Sequence, residues 1–277
     1  MGLDVVALRR EYKGPHHMIT TSDNQILFLR VWEPAAQKHK DSAVLIFHGI
    51  TAHSGPYTMI ADPLAQRGFT VYGLDLRGHG LSDGNRGDYP SSERLIKDLC
   101  EAVSFVKGRH RKVVVLGHSL GVLSAVIALN NCLESIDGAV LLSGARTLKP
   151  GVYPTISVVQ KLRILFSSIV DPGKPVIKYE REGQVGLDDP LFTFRYTLRF
   201  MRIAALRQIT FPTDMKIPVF VGVGDKDELF SIDACRELYD EVPSTVKEFH
   251  VAVGGRHAQF PPGGWDPLAQ WIEGHFD

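Results

Sequence analysis

The chain has 277 residues, 44% hydrophobic and 22% charged, with 31 basic side chains balancing 31 acidic ones. That length suits one large soluble domain or a domain carrying an insertion, and a net charge of zero argues against a nucleic-acid partner. No apolar run reaches spanning length and no signal-like segment stands before Tyr12, so a cytoplasmic chain is expected. In chain order, Met18–Thr21 and Gln25–Trp32, joined at Ser22-Asp23-Asn24, read as an antiparallel hairpin at a sheet edge. Ala43–Phe47 is a wholly apolar strand of the buried parallel kind. A helix near Thr58–Arg67 and a strand at Thr70–Leu74 follow. Glu93–Gly108 places Leu95, Leu99, Val103 and Val106 at helical spacing.

Val113–Leu116 then reads as a buried strand and Val122–Leu129 as a buried helix, followed by the strand Ala139–Leu142. From about Arg146 to Pro212 the alternation breaks into helical patterns separated by prolines and glycines, with no apolar strand among them. Within it, Ile156, Val159, Leu162 or Leu165, Phe166 and Ile169 give a helix with a broad apolar face. Asp189-Pro190 opens another, with Phe194, Leu198 and Met201 on one face and a solvated stripe of Arg195, Arg199 and Arg202 beside it. Strand rhythm resumes at Pro218–Val223, with a helix near Asp233–Tyr239, a last strand at Val246–Val251 and a closing helix capped by Asp266. The fold class expected is α/β: a mainly parallel sheet with helices on both faces. Its core is 1–145 with 213–277, and residues 146–212 form a helical cap. Cys100, Cys132 and Cys235 are far apart, lack metal spacing and are odd in number, so buried reduced thiols are expected.

Between the strand at Val113 and the helix at Val122 sits Gly117-His118-Ser119-Leu120-Gly121. Gly-x-Ser-x-Gly in that context is the sharp turn that lifts a serine hydroxyl above a sheet end. A serine needs a base and a carboxylate to orient that base, in the chain order Ser, Asp or Glu, His. Gly224–Leu229 follows one buried strand and Ala252–His257 follows the last. Asp227 is favoured as the acid over Asp225 and Glu228, because Gly224-x-x-Asp227 gives the chain room to turn. His257, on a glycine-rich loop, is favoured as the base over His250, which lies within a strand pattern. Backbone N–H groups of Leu120 and Ile50 are the candidate oxyanion donors, the second on the loop His48-Gly49-Ile50-Thr51. His16-His17 lacks partner ligands at metal spacing, so no metal site is read and no cofactor is required.

The set of His48-Gly49, His53-Ser54-Gly55-Pro56-Tyr57, Asp75–Gly84, Gly117–Gly121, Gly224–Asp227 and His257 resembles the monoacylglycerol lipase and lysophospholipase branch of the α/β-hydrolase superfamily. The resemblance runs from about residue 16 to the C-terminus and is weak only in the cap. It implies a metal-free serine ester hydrolase whose helical cap shapes an acyl pocket. Two departures stand out: Ala52 where relatives acting on monoacylglycerol carry Glu, and Gly121-Val122 where Gly-Gly is common. His53 and Tyr57 either line the substrate mouth or fix the oxyanion loop. Leu162, Phe166, Phe194 and Leu198 are the cap's candidate substrate contacts. The expected partners are a small ester or lipid substrate and, transiently, a lipid surface against the cap.

Overall fold

The computed structural model describes residues 3–152, 157–179, 181, 183–259 and 261–277. Ile156 lies outside them. The hairpin forms as β1 (His16–Thr20) and β2 (Ile26–Trp32), followed by β3 (Ser42–Phe47), α2 (Thr58–Gln66) and β4 (Thr70–Leu74). Next come α3 (Ser92–Lys107), β5 (Lys112–His118), α4 (Gly121–Asn131) and β6 (Gly138–Leu142). After the insertion, β9 (Val219–Gly224), α7 (Ile232–Glu241), β10 (Lys247–Ala252) and α8 (Asp266–Phe276) complete the sheet. A helix α1 (Val5–Glu11) precedes the hairpin and was not expected; it is too short to show a period, and Arg9 anchors it by donating to the Leu81 carbonyl and to Asp83.

Eight strands run in the order β1-β2-β4-β3-β5-β6-β9-β10, antiparallel across β1, β2 and β4 and parallel from β4 to β10. Each central strand is apolar on both faces because each face is covered. Leu45, Phe47, Val113 and Val115 belong to the core under α3 and α4, whereas Val44, Ile46, Val114 and Leu116 belong to the core under α2 and α8. This period-two division of one continuous apolar run is how a strand buried on both sides is read.

Several expectations are corrected. Cys100 on α3 and Cys132 just past α4 form a disulfide with Cα atoms 5.9 Å apart, so only Cys235 is a free, buried thiol. The two lie 32 residues apart and meet only because α3 packs on α4. Among the described residues, no helix is long and apolar enough to cross a membrane. The insertion between β6 and β9 is less helical than expected. It contains α5 (Val158–Val170), the short antiparallel pair β7 (Ile177–Lys178) and β8 (Arg195–Tyr196), and α6 (Leu198–Ile203). No helix starts at Asp189: α6 begins after Thr197, whose hydroxyl accepts the Phe200 N–H. Arg195 therefore sits on β8, and Arg199 pairs with the buried Asp88, so no solvated arginine stripe exists. At the chain end, Trp265 takes the N-cap position and Asp266-Pro267 fill the first turn of α8.

The loop from Asp75 to Gly84 is tied into the core by charge. Asp98 on α3 is fully buried and accepts from Arg77 at 2.8 and 3.0 Å and from the Tyr89 hydroxyl at 2.6 Å, with Arg94 paired at 2.7 Å. Removing one partner of a buried ion pair costs about 3–5 kcal/mol, because the other charge stays behind unpaired. Asp98→Ala is therefore expected to lose stability of that order in urea unfolding. A loss under about 1 kcal/mol would show that water or rearrangement compensates the arginines.

Candidate active site

The centre of the site is the turn from β5 into α4. Ser119 has φ +58°, a conformation that L residues hold only when their surroundings enforce it. Its N–H donates to the Leu142 carbonyl of β6 at 2.9 Å, and its carbonyl accepts from Val122 at 3.0 Å. Gly121 lies under the Phe47 carbonyl, where any Cβ would collide with backbone. At Gly49 a Cβ would lie 3.2 Å from Ser119 Cβ, so a glycine there lets the neighbouring loop close on the serine.

The structure brings Ser119, Asp227 and His257 together at the carboxyl ends of β5, β9 and β10. Asp227 and His257 lie at most 1% and 4% exposed. His257 Nε2 is 2.9 Å from Ser119 Oγ, and His257 Nδ1 is 3.0 and 3.2 Å from the two Asp227 oxygens. A carboxylate only accepts, so Nδ1 carries the proton and Nε2 is left as the acceptor facing the serine. Burial alone would raise the Asp227 pKa, but the His257 hydrogen bond and the N–H groups of Leu229 and Phe230 hold it at about 2. The alternatives go elsewhere: Asp225 is exposed and accepts from Gly254 N–H. Glu228 pairs with Arg256 and accepts the His257 N–H, and His250 bonds the Gly264 carbonyl.

The loop after β3 is fixed by two histidines. Leu76 N–H donates to His48 Nε2 at 3.1 Å, so the His48 proton is on Nδ1 and is given to the Gly49 carbonyl at 2.8 Å. In a trans peptide the C=O and the following N–H point opposite ways. Holding the Gly49 carbonyl against His48 therefore turns the Ile50 N–H away from it. Neither Ile50 N–H nor Leu120 N–H donates to another described residue. A second line begins at Gly49 N–H, which donates to the Tyr57 hydroxyl at 2.8 Å. Tyr57 then gives its proton to His118 Nδ1 at 2.9 Å, and His118 Nε2–H donates to the His257 carbonyl at 2.8 Å. One directed chain thus connects the loops of β3, β5 and β10.

An open cavity of about 650 Å³, including its solvent-filled mouth, exposes Ser119 and His257. Tyr57 and Ile50 form part of its wall from the core. Tyr179, Arg181, Val185 and Phe192 contribute from the insertion; no sequence pattern marked the first three, and Phe192 lies where a helix with Phe194 on its apolar face was expected. His53 stays outside the wall, buried and bonded to Asp189. Leu162 and Phe166 stand 60% and 70% exposed on α5, outside the lining, as are Phe194 and Leu198.

Burial pushes the His48 pKa down to about 4 and that of His118 to about 3. An unfolded imidazole titrates near 6.5. Between that value and the folded ones, the unfolded chain binds protons that the folded chain refuses, so stability falls as the pH drops. The Asp227 contribution is complete above the ordinary value of 3.8 and is lost only on the way down to about 2. A lower urea midpoint at about pH 5 than at pH 7 is therefore expected, with a smaller drop in His118→Asn. An unchanged midpoint would contradict neutral buried imidazoles.

The family model described as serine aminopeptidase, S33, matches residues 38–260. The chain is 32% identical over 261 residues to the uncharacterized protein YnbC of Escherichia coli, covering 87% of this chain and 43% of that one. It is 28% identical to a monoacylglycerol lipase of Mycolicibacterium smegmatis, covering 88% and 92%. Against the first two curated relatives the chain spans 43% and 25% of their lengths, less than half of either. A monoglyceride lipase of Saccharomyces cerevisiae, solved with a substrate analog, superposes with a TM-score of 0.77 at 16% identity, covering 96% of both chains. A monoacylglycerol lipase of Paleococcus ferrophilus gives 0.71 at 23% identity, covering 90% and 99%. The eight-stranded sheet, the turn at Ser119 and the match over residues 38–260 lead to one assignment: this chain belongs to the serine aminopeptidase, S33, family of α/β-hydrolases.

Proposed function

We propose that the chain is a serine carboxylic-ester hydrolase of the monoacylglycerol lipase type, acting on esters with apolar acyl groups. The observation that carries this is the line from Ser119 Oγ through His257 to Asp227, opening into a cavity walled by Tyr57, Tyr179, Val185 and Phe192. Ser119 attacks the ester carbonyl while His257 Nε2 takes its proton, and Asp227 stabilises the imidazolium that forms. The N–H groups of Ile50 and Leu120 receive the oxyanion. His257 then protonates the leaving alcohol, and an acyl-serine remains. Water activated by the same imidazole releases the acid and restores Ser119.

In this reading residues 1–145 and 213–277 are the catalytic core, and residues 146–212 are a cap that walls the acyl cavity. The apolar face of α5, with Leu162 and Phe166 exposed, suits transient contact with a lipid surface. Arg181 in the cavity wall favours a second reading, lysophospholipid hydrolysis, in which a guanidinium meets the phosphate.

A series of p-nitrophenyl esters from acetate to palmitate, with 1-monooleoylglycerol and lysophosphatidylcholine alongside, tests both. A preference for medium or long acyl chains is expected, and Ser119→Ala should lower turnover by about 10⁴-fold or more without unfolding the chain. Retained turnover in Ser119→Ala would overturn the assignment. Turnover of lysophosphatidylcholine well above 1-monooleoylglycerol, lost in Arg181→Gln, would select the second reading.

A further inference from the structure

The insertion is bonded to the catalytic core at the loop that carries the Ile50 amide. Thr193 N–H donates to the Thr51 carbonyl at 2.9 Å. The hydroxyl of the fully buried Tyr196 is shared between the carbonyls of Ile50 and Thr193. Asp189 Oδ2 lies 3.0 Å from His53 Nε2. The proton on this last pair can be placed: His53 Nδ1 accepts the Gly55 N–H at 3.1 Å, so Nε2 holds the hydrogen and gives it to the carboxylate.

Asp189 is itself oriented. Its other oxygen accepts the Leu191 N–H at 2.8 Å, and its carbonyl accepts the Phe192 N–H at 3.1 Å. That turn sets the Phe192 ring edge-on to His53, with centroids 5.4 Å apart, while Phe192 also faces the cavity. Burial tends to raise the Asp189 pKa, yet the His53 hydrogen bond and the Leu191 N–H outweigh it, so the carboxylate stays charged. Arg86 from the core secures the turn by donating to the Leu191 carbonyl.

None of these groups reaches Ser119 Oγ or His257. They grip the loop beyond the point held by His48: the core fixes the Gly49 carbonyl, and the insertion bonds the Ile50 and Thr51 carbonyls and the His53 ring. The peptide that presents the Ile50 N–H lies between the two grips. We propose that the Asp189–Thr193 turn is a positioning element for acyl transfer, with Asp189 acting through His53 to keep the Ile50 N–H aimed at the developing oxyanion. The role of Ile50 rests on the ester-hydrolase reading above; the mechanical tie does not. A preorganised donor acts only where the charge appears, and loss of one donor outright costs about 10²–10³ in kcat. Loosening its support should cost part of that.

The test compares the 277-residue chain with Asp189→Ala and Asp189→Asn, using p-nitrophenyl butyrate and counting active sites with a fluorophosphonate. Asp189→Ala is expected to lower kcat per active site by about 10-fold, with KM changed by less than about 2-fold. Binding of a trifluoromethyl ketone, which forms the tetrahedral oxyanion, should weaken by a similar factor. Amide hydrogen exchange should accelerate in residues 49–55 and not across the sheet. Asp189→Asn keeps an acceptor for His53 Nε2–H and should stay within about 3-fold of the wild type. A kcat for Asp189→Ala equal to wild type, acceleration spread over the whole chain, or an Asn variant as impaired as Ala would each overturn the proposal. A wild type with no ester turnover would instead overturn the ester reading, and unchanged exchange in residues 49–55 of Asp189→Ala would still refute the tie.

Discussion

The hydrogen bond from Ser119 N–H to the Leu142 carbonyl continues the β5–β6 ladder one step past the point where the chain has already turned. It holds a residue at φ +58° while α4 starts two residues later. Everything else at the site is arranged around the direction this gives the serine side chain. β5 lies between β3 and β6 in the sheet, so the loop leaving β3 is the natural neighbour of the serine. The loops leaving β9 and β10 approach from the other side with Asp227 and His257. Parallel strands deliver all four segments to one sheet edge, the general location of sites in open α/β sheets.

The interior around that edge is polar but carries little charge. His48 and His118 are kept neutral by burial, and each spends one nitrogen as donor and the other as acceptor. The carboxylates of Asp75 and Asp227 are the exceptions, and each is surrounded by donors. The negative charge of Asp227 lies directly beside the His257 ring, where it favours a positive charge on the imidazole. The insertion differs in character. Its helix α5 leaves Val158, Phe166 and Ile169 largely exposed, whereas its segment from Asp189 to Tyr196 is bonded closely to the core loop.

Much of the core was legible because its causes are local. The strands at Ala43, Val113, Ala139 and Val219 are continuous apolar runs, and the structure places them within a residue or two of their expected bounds. Gly224-x-x-Asp227 and the glycine-rich approach to His257 distinguished those two residues from Asp225 and His250, which the structure puts on solvent-side and backbone contacts. What escaped is set by tertiary contact. The Cys100–Cys132 bond depends on two helices meeting. Arg195, Arg199 and Arg202 have helical spacing, yet Arg199 is drawn to buried Asp88 and the chain around Arg195 pairs with β7. Tyr179 and Phe192 reach the cavity from irregular backbone, which the sequence did not mark at Tyr179 and which replaces the helix expected from Asp189 at Phe192.

The directed line from Gly49 through Tyr57 and His118 to the His257 carbonyl has an evolutionary side. Tyr57 and His118 are each simultaneously donor and acceptor, and both are buried, so a change at position 57 alone strands the Gly49 N–H and the His118 nitrogen together. A change at position 118 alone strands the tyrosine proton and the carbonyl. Single steps away from this pair therefore pass through a state with two orphaned polar groups, while a joint exchange of both can restore the balance. Positions 57 and 118 are 61 residues apart along the chain, yet they should behave in substitution as one site.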